Sequence, residues 1–197
     1  HDSIREYICN FIMSKLETNT IDTVSGTTNL TIGSTNSSTV TFENGSPTGH
    51  MYPAFEAYLS ASQNPSDATY TKQQCNVERL DTDNAYDNST NYRFTPQVAG
   101  KYFVYASTIA ACASADQVIR ANVAIYKNGA VVLQNRFNSN SGAKVENGFV
   151  FCSGVVELNG STDYVESFAY IDVGSGTPVI FGGANESAYF GGYRIGA

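Results

Sequence analysis

The run Val118-Ile119-Arg120-Ala121-Asn122-Val123-Ala124-Ile125-Tyr126-Lys127, followed by Asn128-Gly129 and then Ala130-Val131-Val132-Leu133-Gln134-Asn135-Arg136, reads as two β-strands joined by a two-residue turn. Asn-Gly between apolar runs is a strong short hairpin signal, because the tight turn whose twist matches the strands needs positive φ at both residues. The turn fixes the register. Side chains alternate across a strand, so Ile119, Ala121, Val123 and Ile125 are expected to face a sandwich core, with Arg120, Asn122, Ala124 and Tyr126 on the other side. Asn159-Gly160 repeats the device, with a slightly longer loop, between Val155-Val156-Glu157-Leu158 and Tyr164-Val165.

Outward from this hairpin, further strands are expected over Pro53–Ser60, Lys101–Ala111, Phe149–Leu158, Tyr164–Ile171, Val179–Phe181 and Ala188–Ile195. No segment carries sustained helical periodicity with caps. Two strands are bulky on both sides: Tyr102 and Val104 oppose Phe103 and Tyr105, and Tyr164, Phe168 and Tyr170 oppose Val165, Ala169 and Ile171. One face packing inside the sandwich and the other against a neighbouring subunit explains this. The competing explanation is that large aromatics sit singly on the surface.

Length and composition bound the rest. The chain has 197 residues, enough for one globular domain with a tail. Charged residues make up only 15%, so Ser, Thr, Asn, Gln and Gly must cover the surface, as in extracellular or virion β proteins. A net charge of −7 argues against a groove that tracks nucleic-acid phosphates. No apolar run is long enough to insert in a membrane, and His1 to Ile12 lack a secretory signal pattern. Residues 1–12 read as a non-native extension before a natural start at Met13-Ser14-Lys15. Residues 13–49 are polar, with Leu30-Thr31-Ile32 and Val40-Thr41-Phe42 as short alternating segments, and form either a shaft shared among copies or a flexible linker. The breaker cluster Ser46-Pro47-Thr48-Gly49 then gives way to the head, residues 50–197. Cys9, Cys75, Cys112 and Cys152 are too scattered for a CxxC site and read as small core residues, with a Cys112–Cys152 bridge as the alternative.

From about Tyr52 to Ala197 the chain resembles the C1q-like domain of the C1q/tumour-necrosis-factor class. Phe94-Thr95-Pro96-Gln97-Val98-Ala99-Gly100-Lys101-Tyr102 matches the family's Phe, Pro-containing turn and Gly-x-Tyr; Tyr86-Asp87-Asn88-Ser89-Thr90 resembles its Tyr-Asp-x-x-Thr segment, one residue further from Phe94. Lys127-Asn128-Gly129 is similar to its hairpin, Leu158 to Val165 to its Leu-x-x-Gly-Asp-x-Val stretch, and Phe190-Gly191-Gly192-Tyr193 to its closing strand. Val104, where the family usually has Phe, and Ser161-Thr162, between Gly160 and Asp163, depart from the pattern. The resemblance implies an all-β, ten-stranded antiparallel jelly roll that forms a homotrimer, with both chain ends at its base. Phe94, Tyr102, Tyr105, Tyr164, Phe168, Phe190 and Tyr193 are the expected core and trimer-packing residues, and Gly100, Asn128, Gly129, Asn159, Gly160 and Gly192 the structural turns.

Met13 to Asp22 resembles the opening of tail- or head-fibre proteins of tailed bacteriophages, and the Gly-every-third repeat of a collagen stalk is absent. Catalysis is not expected. His1 and His50 are the only histidines, so hydrolytic triads lack their proton shuttle. HExxH and phosphate-cradling loops are missing, and Gly182-Gly183 and Gly191-Gly192 fit turns or close backbone approach better than nucleotide binding. Asp81, Asp83 and Asp87 lie in an Asn- and Thr-rich loop that reads as a solvated loop, a calcium site or, least of all, a glycosidase pair. No other cofactor is implied. The expected function is that of a structural virion fibre protein, joined to other virion proteins through its N-terminal segment, whose head binds a host-surface glycan or protein or caps the fibre. A secreted C1q-like recognition module is the alternative, and a fibre-borne carbohydrate-cleaving enzyme the third reading.

Overall fold

The Asn128-Gly129 turn forms as its chemistry requires. In a computed structural model describing residues 52–139, 142–183 and 188–196, Asn128 has φ 52° and Gly129 φ 81°, and Lys127 pairs directly with Ala130. Among these residues there are twelve β-segments and no helix: β1 (Ala54–Tyr58), β2 (Thr71–Lys72), β3 (Val77–Asp81), β4 (Tyr86–Asp87), β5 (Arg93–Phe94), β6 (Gly100–Cys112), β7 (Val118–Lys127), β8 (Ala130–Asn138), β9 (Asn147–Leu158), β10 (Val165–Val173), β11 (Pro178–Ile180) and β12 (Tyr189–Gly196). The proposed N-terminal extension, shaft and head boundary at residues 1–12, 13–49 and 50 lie outside the described residues.

The turn is the tip of a folded ribbon. Antiparallel pairs nest around it in the order β7·β8, β6·β9, β5·β10 and β1·β12. Rolling the ribbon sends alternate pairs to opposite sheets, which is a jelly roll, the architecture the C1q-like motifs imply. The first sheet runs β9-β6-β12-β1-β3, with β11 extending the β12 position along β6. The second runs β8-β7-β10-β5-β4, with β2 extending the β5 position along β10.

The two sheets are bolted together by aromatic rings. Phe55 of β1 stacks on Phe94 of β5 at 4.2 Å and on Tyr86 of β4 at 5.1 Å, and meets Phe190 of β12 edge-on at 4.9 Å. Tyr102 completes the cluster against Phe94 at 5.7 Å and donates its phenol to the Val98 carbonyl. The Phe-x₅-Gly-x-Tyr resemblance therefore marks a crossing between sheets: Phe94 ends the second sheet's β5, Gly100 opens the first sheet's β6, and their rings meet in the core. Burial pushes the Tyr102 phenol up to about 12. At Gly100, with φ 151°, an added Cβ would stand 2.3 Å from the Gly196 carbonyl oxygen, so no other residue fits this entry.

Three local expectations are corrected. Ala121, Val123 and Ile125 are core, but a bulge opposite Asp172/Val173 puts Val118 in the core and leaves Ile119 half-buried. Asn159-Gly160 does not close a hairpin, because β9 and β10 belong to different sheets. Asn159 instead caps the connection, its Oδ1 accepting from the amides of Ser161, Thr162 and Asp163. Gly192 lies within β12 rather than in a turn, over Phe103 and Val104.

Among the described residues Cys75, Cys112 and Cys152 are free; Cys75 and Cys152 fill the core, where burial raises their thiols to about 12 and about 11. A Cys112–Cys152 bridge is ruled out by register. Cys152 pairs with Ala106, six residues down β6 from Cys112, roughly 20 Å at strand rise against the ~7 Å limit for a disulfide.

Candidate functional site

β6 is an interior strand of the first sheet, between β9 and β12, and its alternation decides what that part of the sheet shows to solvent. Tyr102, Val104 and Ala106 are wholly buried, so Phe103 and Tyr105 must point outward. In register beside them stand Val155 and Ser153 of β9, and Tyr193 and Gly191 of β12. β1 adds Glu56 and Tyr58, opposite Gly191 and Tyr189. At the far edge Phe149 and Phe151 share the outward side of β9 with Val155, because Val150, Cys152 and Val156 point inward. Phe149 is 61% exposed, Val155 54% and Phe151 37%.

The middle of this face is an aromatic lattice around one carboxylate. Phe103 lies 5.6 Å from Tyr193, and Tyr105 lies 6.1 Å from Tyr189. Tyr105 spreads over Gly191, where an added Cβ would come within 2.5 Å of its ring. Its phenol donates to Glu56 Oε2 at 2.6 Å, while Arg79 of β3 donates to Glu56 Oε1 at 3.0 Å and sits 4.8 Å over the Tyr58 ring. Burial, then the Glu56 carboxylate, push the Tyr105 phenol well above the usual tyrosine range. Four strands about 4.8 Å apart, over six residues of strand, make a patch roughly 20 Å square. A patch of this scale is about the largest that a typical monomer carries, and such patches often serve recognition.

The outer face of the second sheet is also aromatic, but its rings are covered from within the chain, while Val131 beside Tyr126 on the edge strand β8 stays 45% exposed. Tyr70 lies over it, 5.2 Å from Tyr170 and 6.2 Å from Tyr126. Asn122 Nδ2 donates to the Tyr70 phenol at 2.7 Å, and that phenol donates to Gln134 Oε1 at 3.0 Å. Phe168 packs at a tilt against Tyr126, centroids 4.2 Å apart, with Lys72 5.9 Å above it, and Lys72 pairs with the buried Glu166. Arg120 and Arg93 cap Tyr170 and Tyr164 at 4.5 Å and 4.4 Å.

The expected packing residues therefore divide three ways. Phe94, Tyr102 and Phe190 are core, and Tyr105 and Tyr193 are on the open face of the first sheet. Phe168 lies in β10 of the other sheet and Tyr164 immediately precedes that strand, so neither joins the same surface. The strongest members of the open face, Phe149 and Phe151, were missed by the sequence reading, although their alternation with Val150 and Cys152 makes β9 apolar on both sides.

The calcium candidates are not brought together. Asp81 accepts from the amides of Ala85 and Tyr86, and Asp87 from those of Ser89, Thr90 and Asn91, so their oxygens tie their own turns. Asp83 is exposed, and among the described residues no three His, Cys, Asp or Glu side chains converge on a metal position. These backbone bonds hold the Asp87 carboxyl well below the usual range.

No family model matches the chain. Nor does any curated protein. Among solved structures, the crystal structure of murine APRIL at pH 5.0 is similar, with a TM-score of 0.48 and 12% identity, covering 72% of this chain and 99% of that one. The class is set by this chain's own strand order: an antiparallel two-sheet jelly roll with one outer sheet face left open.

Proposed function

We propose that the jelly roll is the homotrimeric head of a virion fibre, assembled through the open face of the first sheet, which attaches the particle to a host-surface glycan or protein or caps the fibre. The supporting observation is the contiguous set Phe149, Phe151, Val155, Phe103, Tyr105 and Tyr193 on one side of one sheet. Copies of the same chain are the natural cover, because homo-oligomer interfaces resemble a core cut in half and closed symmetry hides every copy's patch. Glu56, held by Tyr105 and Arg79, gives the face one satisfied polar anchor that would fix register as copies meet.

The fibre setting rests on the sequence of residues 13–49, a polar segment with short alternating stretches and a fibre-like opening at Met13. The ends of the described head suit such a stalk: the Arg194 amide donates to the Pro53 carbonyl, so entry and exit of the chain share one end of the sandwich. Light scattering on the purified chain tests the assembly. Three times the 21.2 kDa chain mass is expected, and a monomer at micromolar concentration would overturn the proposal.

A further inference from the structure

Clefts on the described surface differ in the charge of their linings. One holds Lys127, Glu157 and Asp163, and another Asp87 and Arg93. A third, about 240 Å³, is bounded by Leu59–Gln63, Gln74, Asn76 and Tyr92 and has no charged side chain. It lies beyond the end of β1, on the run that continues to the Gln63–Ile180 bridge, away from the end where Pro53 meets Arg194.

Its polar groups are held in place and only partly used. Asn76 Oδ1 accepts from the Ser60 amide and its Nδ2 donates to Ser60 Oγ, both at 3.0 Å. Gln63 Oε1 accepts from the Gln74 amide at 3.2 Å while its Nε2 donates to the Lys72 carbonyl at 2.9 Å, and Ser62 Oγ accepts from the Gly182 amide at 3.2 Å. Each amide keeps a second hydrogen and spare lone pairs, and each serine keeps a hydroxyl hydrogen. Tyr92 forms one wall with φ 50°, an uncommon conformation for an aromatic residue that surrounding structure must enforce. The enforcement is visible: Asn91, just before it, donates to Asp87 through both its amide and its side chain, and its carbonyl accepts from Lys72.

We infer that this cleft binds a neutral sugar ring, with Tyr92 against the ring's apolar C–H face and Asn76, Gln63, Gln74 and Ser62 on its hydroxyls. Sugar hydroxyls both donate and accept, as do side-chain amides, whereas an apolar ligand would strip water from those amides without replacing its hydrogen bonds. A charged ligand would find no counter-charge here. The inference rests on the attachment reading for its glycan setting but uses none of the residues of the open sheet face.

Saturation-transfer NMR on the full chain tests it with methyl glycosides of glucose, galactose and mannose and with N-acetylglucosamine, each at millimolar concentration, and N-acetylneuraminic acid as the charged control. At least one neutral sugar should receive saturation at its ring protons. Tyr92→Asn, which keeps a residue tolerant of positive φ, and Gln74→Ala, at an exposed position, should each weaken binding about tenfold at unchanged melting temperature. No transfer to any neutral sugar, transfer indifferent to both variants, or binding of the acidic sugar alone would overturn the inference. Sugar binding by a monomer would sink the trimer and leave the cleft; a trimer that binds none of these sugars would do the reverse.

Discussion

On β10, Phe168 and Tyr170 point away from the core, yet Tyr126, Tyr70, Lys72 and Arg120 lie against them. On β9, Phe149 and Phe151 also point away from the core, and they stand 61% and 37% exposed. Both faces are aromatic, so hydrophobicity alone does not separate them. The difference is that the aromatic rings of the second sheet receive a cover from their own chain, the Tyr70 segment and its cations, whereas Phe149, Phe151 and Val155 of the first are left open.

Changes beneath both faces should cost most. Tyr102→Ala and Phe190→Ala, each removing an almost wholly buried ring from the inter-sheet cluster, should lower stability by about 3–5 kcal/mol in urea unfolding. Retained stability would contradict the core assignment. On the open face, Phe149→Glu should convert the trimer to monomers in sedimentation while circular dichroism keeps its β signature. The matching change on the second sheet, Val131→Glu beside outward-facing Tyr126, should leave mass unaltered and stability within about 0.5 kcal/mol. Equal effects at both positions would erase the distinction between the faces. Asn122→Ala should cost about 1–3 kcal/mol in thermal unfolding, because it removes the two side-chain bonds that this buried amide makes to the Tyr70 phenol and to Arg120 Nε, with no effect on mass.

The smallest effect is acid dependence at the Asp87 turn. Its folded carboxyl titrates below its unfolded value, so the stability it supplies is complete above the unfolded aspartate value of ~3.9 and fades as pH falls through the folded one. Melting temperature should therefore fall less on acidification in Asp87→Asn than in the parent chain. Parallel curves would remove Asp87 from the account.

The sequence made the ribbon legible where local chemistry and long-range pairing agree. The span of β7, Val118–Lys127, was read directly, because the Asn-Gly turn fixes one end and alternation the rest. β2, β4 and β5 were not, since two residues in a polar stretch become strand only by pairing with β10 or each other. Nor was β3, whose Val77-Glu78-Arg79-Leu80-Asp81 has no alternation and takes its register from β1 through a bulge. For the site, period two told which side of a strand a ring occupies but not which sheet holds the strand. Tyr105 and Phe168 therefore looked equivalent until the topology parted them. Asn159-Gly160 failed for the same reason, because turn chemistry is local and a change of sheet is not.

Residue-resolved covalent footprinting of the assembled protein compares the two faces in one experiment. Phe149 and Phe151 should be protected while Tyr126 and Tyr170 are modified, although the single chain exposes the β9 pair at least as well. Modification of Phe149 and Phe151 as fast as of the tyrosines would show the first sheet's outer face to be open water, contradicting assembly through it.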